Sequence, residues 1–208
     1  MRKAPHDATE PEMTAATSQR ASDAAIIRAA LREPEGFAAL FDRYYTMIHG
    51  YAARRLGASL ADDVAAETFL VAFDRRASYD LDRPDARPWL YGIASNLIAR
   101  HGRAEVRLYR ALTRTGPAAP AESHADRVAG RVDAQAARGP LAAALARLEP
   151  GDRDVLLLVA WGGLALVEAA QALEIPAGTA RSRMHRARRR IRAALGENDP
   201  TTLGEDLA

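Results

Sequence analysis

The chain has 208 residues, with 29 lysines and arginines set against 27 acidic residues for a formal net charge of only +2, so any basic character is local rather than global. It contains no cysteine, which excludes disulfides, cysteine-based zinc sites and thiol catalysis. Hydrophobic residues make up 48% of the chain but aromatics only 6%, and much of the apolar content is alanine. Alanine favours helix and buries little area, so the core must come from closely packed helices. Valine, isoleucine and threonine do not cluster in alternating runs, so strands are not indicated.

Residues 1–20 are polar, carry Pro5 and Pro11 and show no periodicity. They read as a disordered tail without a secretory signal. Ser22-Asp23 offers an N-cap for a first helix carrying Ile26, Ile27, Ala30 and Leu31, interrupted at Pro34. Glu35 to Leu56 reads as a long amphipathic helix with a broad face of Phe37, Leu40, Phe41, Tyr44, Tyr45, Ile48 and Tyr51, stopped by Gly57. Ser59 is a candidate cap for the next helix, Leu60 to Arg76. This helix is apolar on nearly two faces, but Asp63, Glu67 and Asp74 form an acidic stripe around Leu70. Like charges at i, i+4 disfavour an isolated helix by a few tenths of a kcal/mol, so the stripe is either a solvated face or a dock for a basic partner.

Tyr79 to Pro88 is a loop rich in turn formers, and a helix from Trp89 to about Arg103 buries Leu90, Ile93, Ala94, Leu97 and Ile98. From Arg107 the pattern weakens, and Gly116 to His124 has the clearest linker composition, Pro/Ala-rich and so extended and semi-stiff. Asp126 to Arg138 has enough alanine for transient helix. A second domain is expected from near Pro140, with Leu141, Leu145 and Leu148 on one helix, Asp152 capping another, and Gly162-Gly163 closing it. The longest apolar passage, Val155 to Val167, is too short to span a bilayer and is broken by those glycines.

The most informative stretch follows. Val167 to Leu173 reads as a short helix, Glu174-Ile175-Pro176 as a tight connection, and Ala177 to Leu195 as a longer helix with seven arginines, one histidine and no acidic residue. Ala180, Met184, Ala187, Ile191 and Leu195 recur at one-stripe helical spacing, while Ser182, His185, Arg186 and Arg189 project from the opposite side. A short helix, a tight turn and a basic helix make a helix-turn-helix, whose second helix suits the major groove of DNA. His6, His49, His101, His124 and His185 show no mutual ligand spacing, and there is no G-x-x-x-x-G-K loop. No metal, cofactor or small-molecule substrate is expected, and an enzyme is disfavoured.

Four segments in order carry a resemblance to the sigma-70 family of bacterial RNA polymerase sigma factors, in its extracytoplasmic-function branch. Ala61-Asp62-Asp63-Val64-Ala65-Ala66-Glu67-Thr68-Phe69 resembles the family's A-E-D-hydrophobic-x-Q-E-T-F, and Trp89 to Asn96 its W-L-x-x-I-A-x-N. Leu148 to Leu156 is similar to L-P-x-x-R-x-V-L, and Gly178 to Arg188 to G-T-V-K-S-R-L-x-R-A-R. The resemblance implies an all-α protein of two small helical domains: a tail at 1–20, a region 2 domain at 21–104, a flexible linker at 105–139, a region 4 domain at 140–196 and a polar tail at 197–208.

It also implies partners. Asp63, Glu67 and Leu70 would meet the clamp coiled coil of the polymerase β′ subunit. Asn96, Arg100 and Arg103, with Asp80, Arg83 and Arg87 from the preceding loop, would meet the promoter −10 element, where unstacked bases are captured rather than chemically altered. Thr179, Arg181, Ser182, Arg183, His185, Arg186 and Arg189 would meet the −35 element. The polymerase β flap and an anti-sigma factor are further implied partners; the chain itself would be cytoplasmic, held at a membrane only through that factor, with no built-in sensor domain. Two departures stand out: Ala66 replaces the usual glutamine, and Ala165 the usual serine of a capping box completed by Glu168. The competing reading is a stand-alone helix-turn-helix regulator that binds an operator without polymerase.

Overall fold

A computed structural model describes residues 21–114 and 128–196, with backbone alone for 128–137. The expected tails and the Gly116–His124 linker lie outside the described residues. Among the described residues all regular structure is helical: α1 (Asp23–Ala30), α2 (Ala38–Leu56), α3 (Ala58–Asp74), α4 (Arg87–Arg100), α5 (Gly102–Leu112), α6 (Val128–Arg147), α7 (Pro150–Ala160), α8 (Leu166–Ala172) and α9 (Ala177–Leu195). None is long and apolar enough to cross a membrane. Helices α1–α5 form one bundle and α6–α9 a second, in which α9 lies on α6, α7 and α8.

Local chemistry explains most boundaries. Ser22 caps α1, its hydroxyl accepting from the Ala25 N–H at 3.2 Å. Gly57 ends α2 and begins α3 with a φ of 86°, in the left-handed region that glycine adopts without a Cβ clash. Ser59 therefore lies inside α3 instead of capping it. Pro34–Phe37 forms a separate 3₁₀ turn ahead of α2, because proline at its first position favours a new start. The helix expected to run on to Arg103 breaks at His101, and α5 continues into the stretch read as linker. It does so because Glu105 and Tyr109 are buried. Pro140 sits inside α6 at an exposed position, where a missing backbone hydrogen bond costs least. Asp152 is not the cap of α7: Glu149 occupies that position, and Asp152 stands in the first turn with its side chain engaged elsewhere.

The core is built from small residues. Ala30, Ala52, Ala61, Ala65, Ala72 and Ala94 are fully buried between the first helices, and Ala169, Ala180 and Ala187 between the last. The two bundles share one continuous apolar core, since Leu157, Leu158, Leu164 and Ala172 pack with Leu90, Tyr91 and Ile98. A buried polar cluster sits beside it. Arg55, 2% exposed, donates to Glu105 at 2.6 Å, to the Tyr51 hydroxyl at 2.9 Å and to Asp154 of α7 at 2.7 Å. Arg153 of α7 donates to Glu105 at 2.9 Å and to the Leu148 carbonyl at 2.9 Å.

Burial, the largest cause in each case, pushes the hydroxyls of Tyr44, Tyr51, Tyr79, Tyr91 and Tyr109 upward from their usual value, to about 12 for Tyr79 and Tyr91. A pKa raised on folding contributes stability that is fully present below the unfolded value and lost as pH rises through the folded one. For Tyr79 and Tyr91 that window runs from about 10 to about 12. Phenolate absorbance and loss of helical circular dichroism are expected to rise together across it. Complete tyrosine ionisation with helicity intact would contradict the burial.

Candidate nucleic-acid interface

Helix α9 buries the stripe read from the sequence. Ala180, Met184, Ala187 and Ile191 are buried and Leu195 half-buried, while Arg181, Ser182, His185, Arg186, Arg188, Arg189, Arg190 and Arg192 are exposed. Thr179 and Arg183 are half-buried, the Arg183 guanidinium lying against Gly151. Ser182 donates back to the Gly178 carbonyl at 2.8 Å. A shallow cavity of about 370 Å³ beside the helix is lined by Leu166, Arg181, Met184, His185, Arg188, Arg189 and Arg192, an apolar floor with a cationic rim.

Arg186 is held in place by Asp152, its Nε and Nη2 donating to the two carboxylate oxygens at 3.1 and 2.8 Å. Asp152 is 3% exposed, so a buried carboxylate orients a guanidinium that itself remains accessible. Sequence reading gave Asp152 a capping role because aspartate near a helix start is the usual signal; nothing local points to a partner 34 positions away. The preceding turn uses Glu174 at φ 52° and ends on Pro176 as N-cap, with Pro176 O accepting from Ala180 N at 3.1 Å. Helix α8 starts at Ala165 with half of a capping box. The Glu168 carboxylate accepts from the Ala165 N–H at 2.7 Å, while alanine offers no acceptor for the reciprocal bond.

The second candidate surface is on α4 and the loop before it. Asn96, Arg100 and Arg103 are exposed. Arg83 pairs with Asp80 at 3.0 Å, and Arg87 with Asp85 at 2.8 Å and more loosely with Glu168 at 3.9 Å. The loop is tied down from behind. Tyr79 packs on Trp89 with ring centroids 4.9 Å apart and donates to the Arg83 carbonyl at 2.7 Å, so Trp89 serves the loop as an anchor. Asp23, the cap candidate beside Ser22, is buried and reaches across the bundle. It accepts from the Ala86 N–H at 2.8 Å, from Tyr44 at 2.6 Å and from Arg43.

The acidic stripe lies on the outside of α3, with Asp63 and Glu67 exposed and Leu70 61% exposed. One feature was not legible in the sequence: Arg100 of α4 pairs with Glu67 at 3.0 Å, so the basic and acidic candidate surfaces meet along one edge. Asn96 and Arg83 instead line a cleft of about 360 Å³ with Arg75, Trp89 and Ile93, closed on its far side by Gln171, Glu174 and Ile175 of the helix-turn-helix. Among the described residues no cluster of His, Asp and Glu is placed to hold a metal ion.

An all-α chain that pairs an arginine-coated helix-turn-helix with a second bundle exposing Asn96, Arg100 and Arg103 has the make-up of a modular DNA-binding protein. Residues 40–118 match the family described as Sigma-70 region 2, and residues 138–191 match Sigma-70, region 4. The ECF RNA polymerase sigma factor SigL of Mycobacterium tuberculosis is 34% identical over 181 residues, covering 86% of this chain and 96% of that protein. The RNA polymerase sigma factor CarQ of Myxococcus xanthus is 30% identical over 167 residues, or 78% and 91% of the two chains. The solved structure of CnrH in complex with the cytosolic domain of CnrY has a TM-score of 0.59 at 25% identity, covering 85% of this chain and 99% of that one. RpoE of Bartonella quintana, solved with the anti-sigma factor NepR, shares the fold at 21% identity and a TM-score of 0.54. The chain belongs to the sigma-70 family, in its ECF branch: it is a sigma factor, which directs RNA polymerase to promoters, and not an enzyme.

Restoring the missing half of the capping box tests the local account of the helix-turn-helix. Ala165→Ser should stabilise the chain by about 1 kcal/mol, since its hydroxyl would accept from the N–H of Glu168. A thermal midpoint unchanged or lowered in differential scanning calorimetry would refute it.

Proposed function

We propose that α9 reads the promoter −35 element, that α4 with the Asp80–Arg87 loop engages and opens the −10 element, and that the outer face of α3 docks on the β′ clamp coiled coil of core polymerase. The observation that carries the reading is the division of α9 into a buried four-residue apolar stripe and an exposed cationic face. Such a helix is fixed to its bundle from one side and free to enter the major groove from the other. Arg181, His185 and Arg189 are the base-reading candidates, since arginine forked onto guanine is the commonest specific contact. Arg188, Arg190 and Arg192 suit phosphates, and Arg186, fixed by Asp152, suits a contact of set geometry.

On the first bundle, exposed Asn96 and Arg103 face DNA, while Asp63, Glu67 and Leu70 offer charge and apolar surface to a basic partner helix. The Arg100–Glu67 pair is solvent-exposed and worth little by itself, so exchanging it for intermolecular partners on either side costs little. An anti-sigma factor belongs to the same reading; CnrH, which shares the fold, was solved in complex with a second protein, the cytosolic domain of CnrY.

Run-off transcription with core polymerase and a pool of genomic fragments tests the whole. Stimulated initiation at a defined promoter set is expected, with Asp63→Arg/Glu67→Arg abolishing core binding. Binding alone should be weak and should fall with salt at roughly 0.9 units of log–log slope per phosphate neutralised. Tight, specific duplex binding without polymerase, untouched by the α3 reversal, would favour the stand-alone regulator.

A further inference from the structure

Helix α1 lies ahead of residues 40–118, the stretch that matches Sigma-70 region 2. It is nevertheless bound at both of its ends to the segment that carries the exposed loop before α4. At its start, Asp23 donates its N–H to the Pro84 carbonyl at 3.2 Å and accepts from the Ala86 N–H at 2.8 Å, so one residue holds the loop backbone on either side of Asp85. At its end, the Ala30 carbonyl accepts from Arg76 Nε at 3.1 Å, and Arg76 opens the 3₁₀ turn, Arg76–Ser78, that leads into the loop. Arg76 also donates to the Phe73 carbonyl at 2.7 Å and lies over the Phe73 ring, 4.0 Å from its centroid, which ties it to the end of α3. An eight-residue helix thus joins the entry of the loop to its exit.

The chemistry at Asp23 goes beyond the start of a helix. Ser22 already caps α1, accepting from the Ala25 N–H, so the Asp23 carboxylate is left for other partners. It is 2% exposed and takes three donors: the Ala86 N–H, the Tyr44 hydroxyl at 2.6 Å and Arg43, which is itself held by the Ala21 carbonyl at 3.0 Å. Ala86 is fully buried and is the N-cap of α4, so its N–H has no helical partner and would be orphaned without Asp23. Beyond these fixings the loop is open. Asp80, Asp82, Arg83 and Pro84 are exposed, on a turn closed by the Arg83 N–H donating to the Asp80 carbonyl at 3.0 Å. An ordered backbone under an exposed tip is the arrangement that captures a ligand with little further loss of freedom.

We propose that α1 is a brace for the −10 loop, with Asp23 as its positioning residue: it sets the loop backbone in the free chain, so that an unstacked promoter base meets a surface already formed. The proposal rests on the assignment of the Asp80–Arg87 loop to −10 DNA. Asp23 is buried and acts through the backbone of Pro84 and Ala86. A loop set in advance fixes the geometry that distinguishes one base from another before the base arrives. A loose loop would close over any base about equally.

Full-chain variants bound to core polymerase test this on single-stranded oligonucleotides of the non-template −10 strand, taken from a promoter found by run-off mapping, with each of the four bases placed in turn at each position. Asp23→Ala should reduce the preference for the promoter base by roughly tenfold, the lower range for one oriented base contact, while core affinity stays unchanged. Asp23→Asn keeps an oxygen for the Ala86 N–H and should retain the preference; Arg76→Ala, which frees the other end of α1, should reduce it. Ser22→Ala weakens the cap of α1 without touching the loop and should leave the preference as it is. Hydrogen exchange on the free chain reads the brace directly: the Ala86 amide should exchange faster in Asp23→Ala, with α2 and α3 protected as in wild type. Even weakening for all four bases at unchanged preference would reduce Asp23 to a stabilising residue and overturn the proposal. So would wild-type preference in Asp23→Ala despite a released Ala86 amide, or a loss in Asp23→Asn as deep as in Asp23→Ala. A wild-type complex with no base preference on the −10 strand would instead defeat the assignment of the loop, and the proposal with it, whatever the exchange of Ala86.

Discussion

The guanidinium of Arg55 sits where the two bundles meet, and each of its three nitrogens has a partner: Glu105, Tyr51 and Asp154. A buried ion of this kind costs several kcal/mol to desolvate, and only a complete set of charge-assisted bonds offsets that cost. The requirement propagates outward. Glu105 must be buried, so α5 must form and pack; Arg153 and Asp154 must reach in, so the start of α7 must lie against α2 and α5. Burial pushes the Asp154 carboxyl up from its usual range, with Arg55 working in the opposite direction. That carboxylate is 18% exposed, the least buried member of the cluster and the one closest to water.

Alanine-rich helices make the arrangement geometrically possible. Small side chains allow backbones to approach closely, and at Gly92 the backbone of α4 meets the Ala172 carbonyl more closely still. Between the bundles Leu157, Leu158 and Leu164 join Leu90, Tyr91 and Ile98 in one core, and polar contacts add direction to that packing: Arg55–Asp154 and Arg153–Glu105 in the interior, and Arg54 on the Trp161 ring and carbonyl at the edge. The ionic cluster therefore sits beside a shared apolar core and does not replace it.

The outer surfaces follow a related rule. Charged groups that a sigma factor would present to its partners already hold one another: Arg100 with Glu67, Arg186 with Asp152, Arg87 with Asp85. Pairing fixes side-chain direction in the free protein and lowers the entropy lost when a nucleic acid or protein partner arrives. It differs in kind between sites. Asp152 is buried and stays, making Arg186 a positioned donor, whereas Glu67 is itself an exposed candidate contact and is free to exchange.

The helix pattern was legible because its signal is local. The spacing of Ala180, Met184, Ala187, Ile191 and Leu195 set which face of α9 is buried, Gly57 set where α2 stops, and the polarity of Asp63, Glu67 and Asn96 kept them outside. The four motif segments carried the family in the same way, since each is a few residues long and reads without knowledge of the others. What the sequence left open depends on residues far apart in the chain. Asp152 and Asp23 resemble caps until the structure brings Arg186 and Ala86 to them, and Glu105 resembles a linker residue until Arg55 and Arg153 converge on it. Propensity and periodicity act over a turn or two of helix. The destination of a buried charge is decided by which helices meet, and only the tertiary structure settles that.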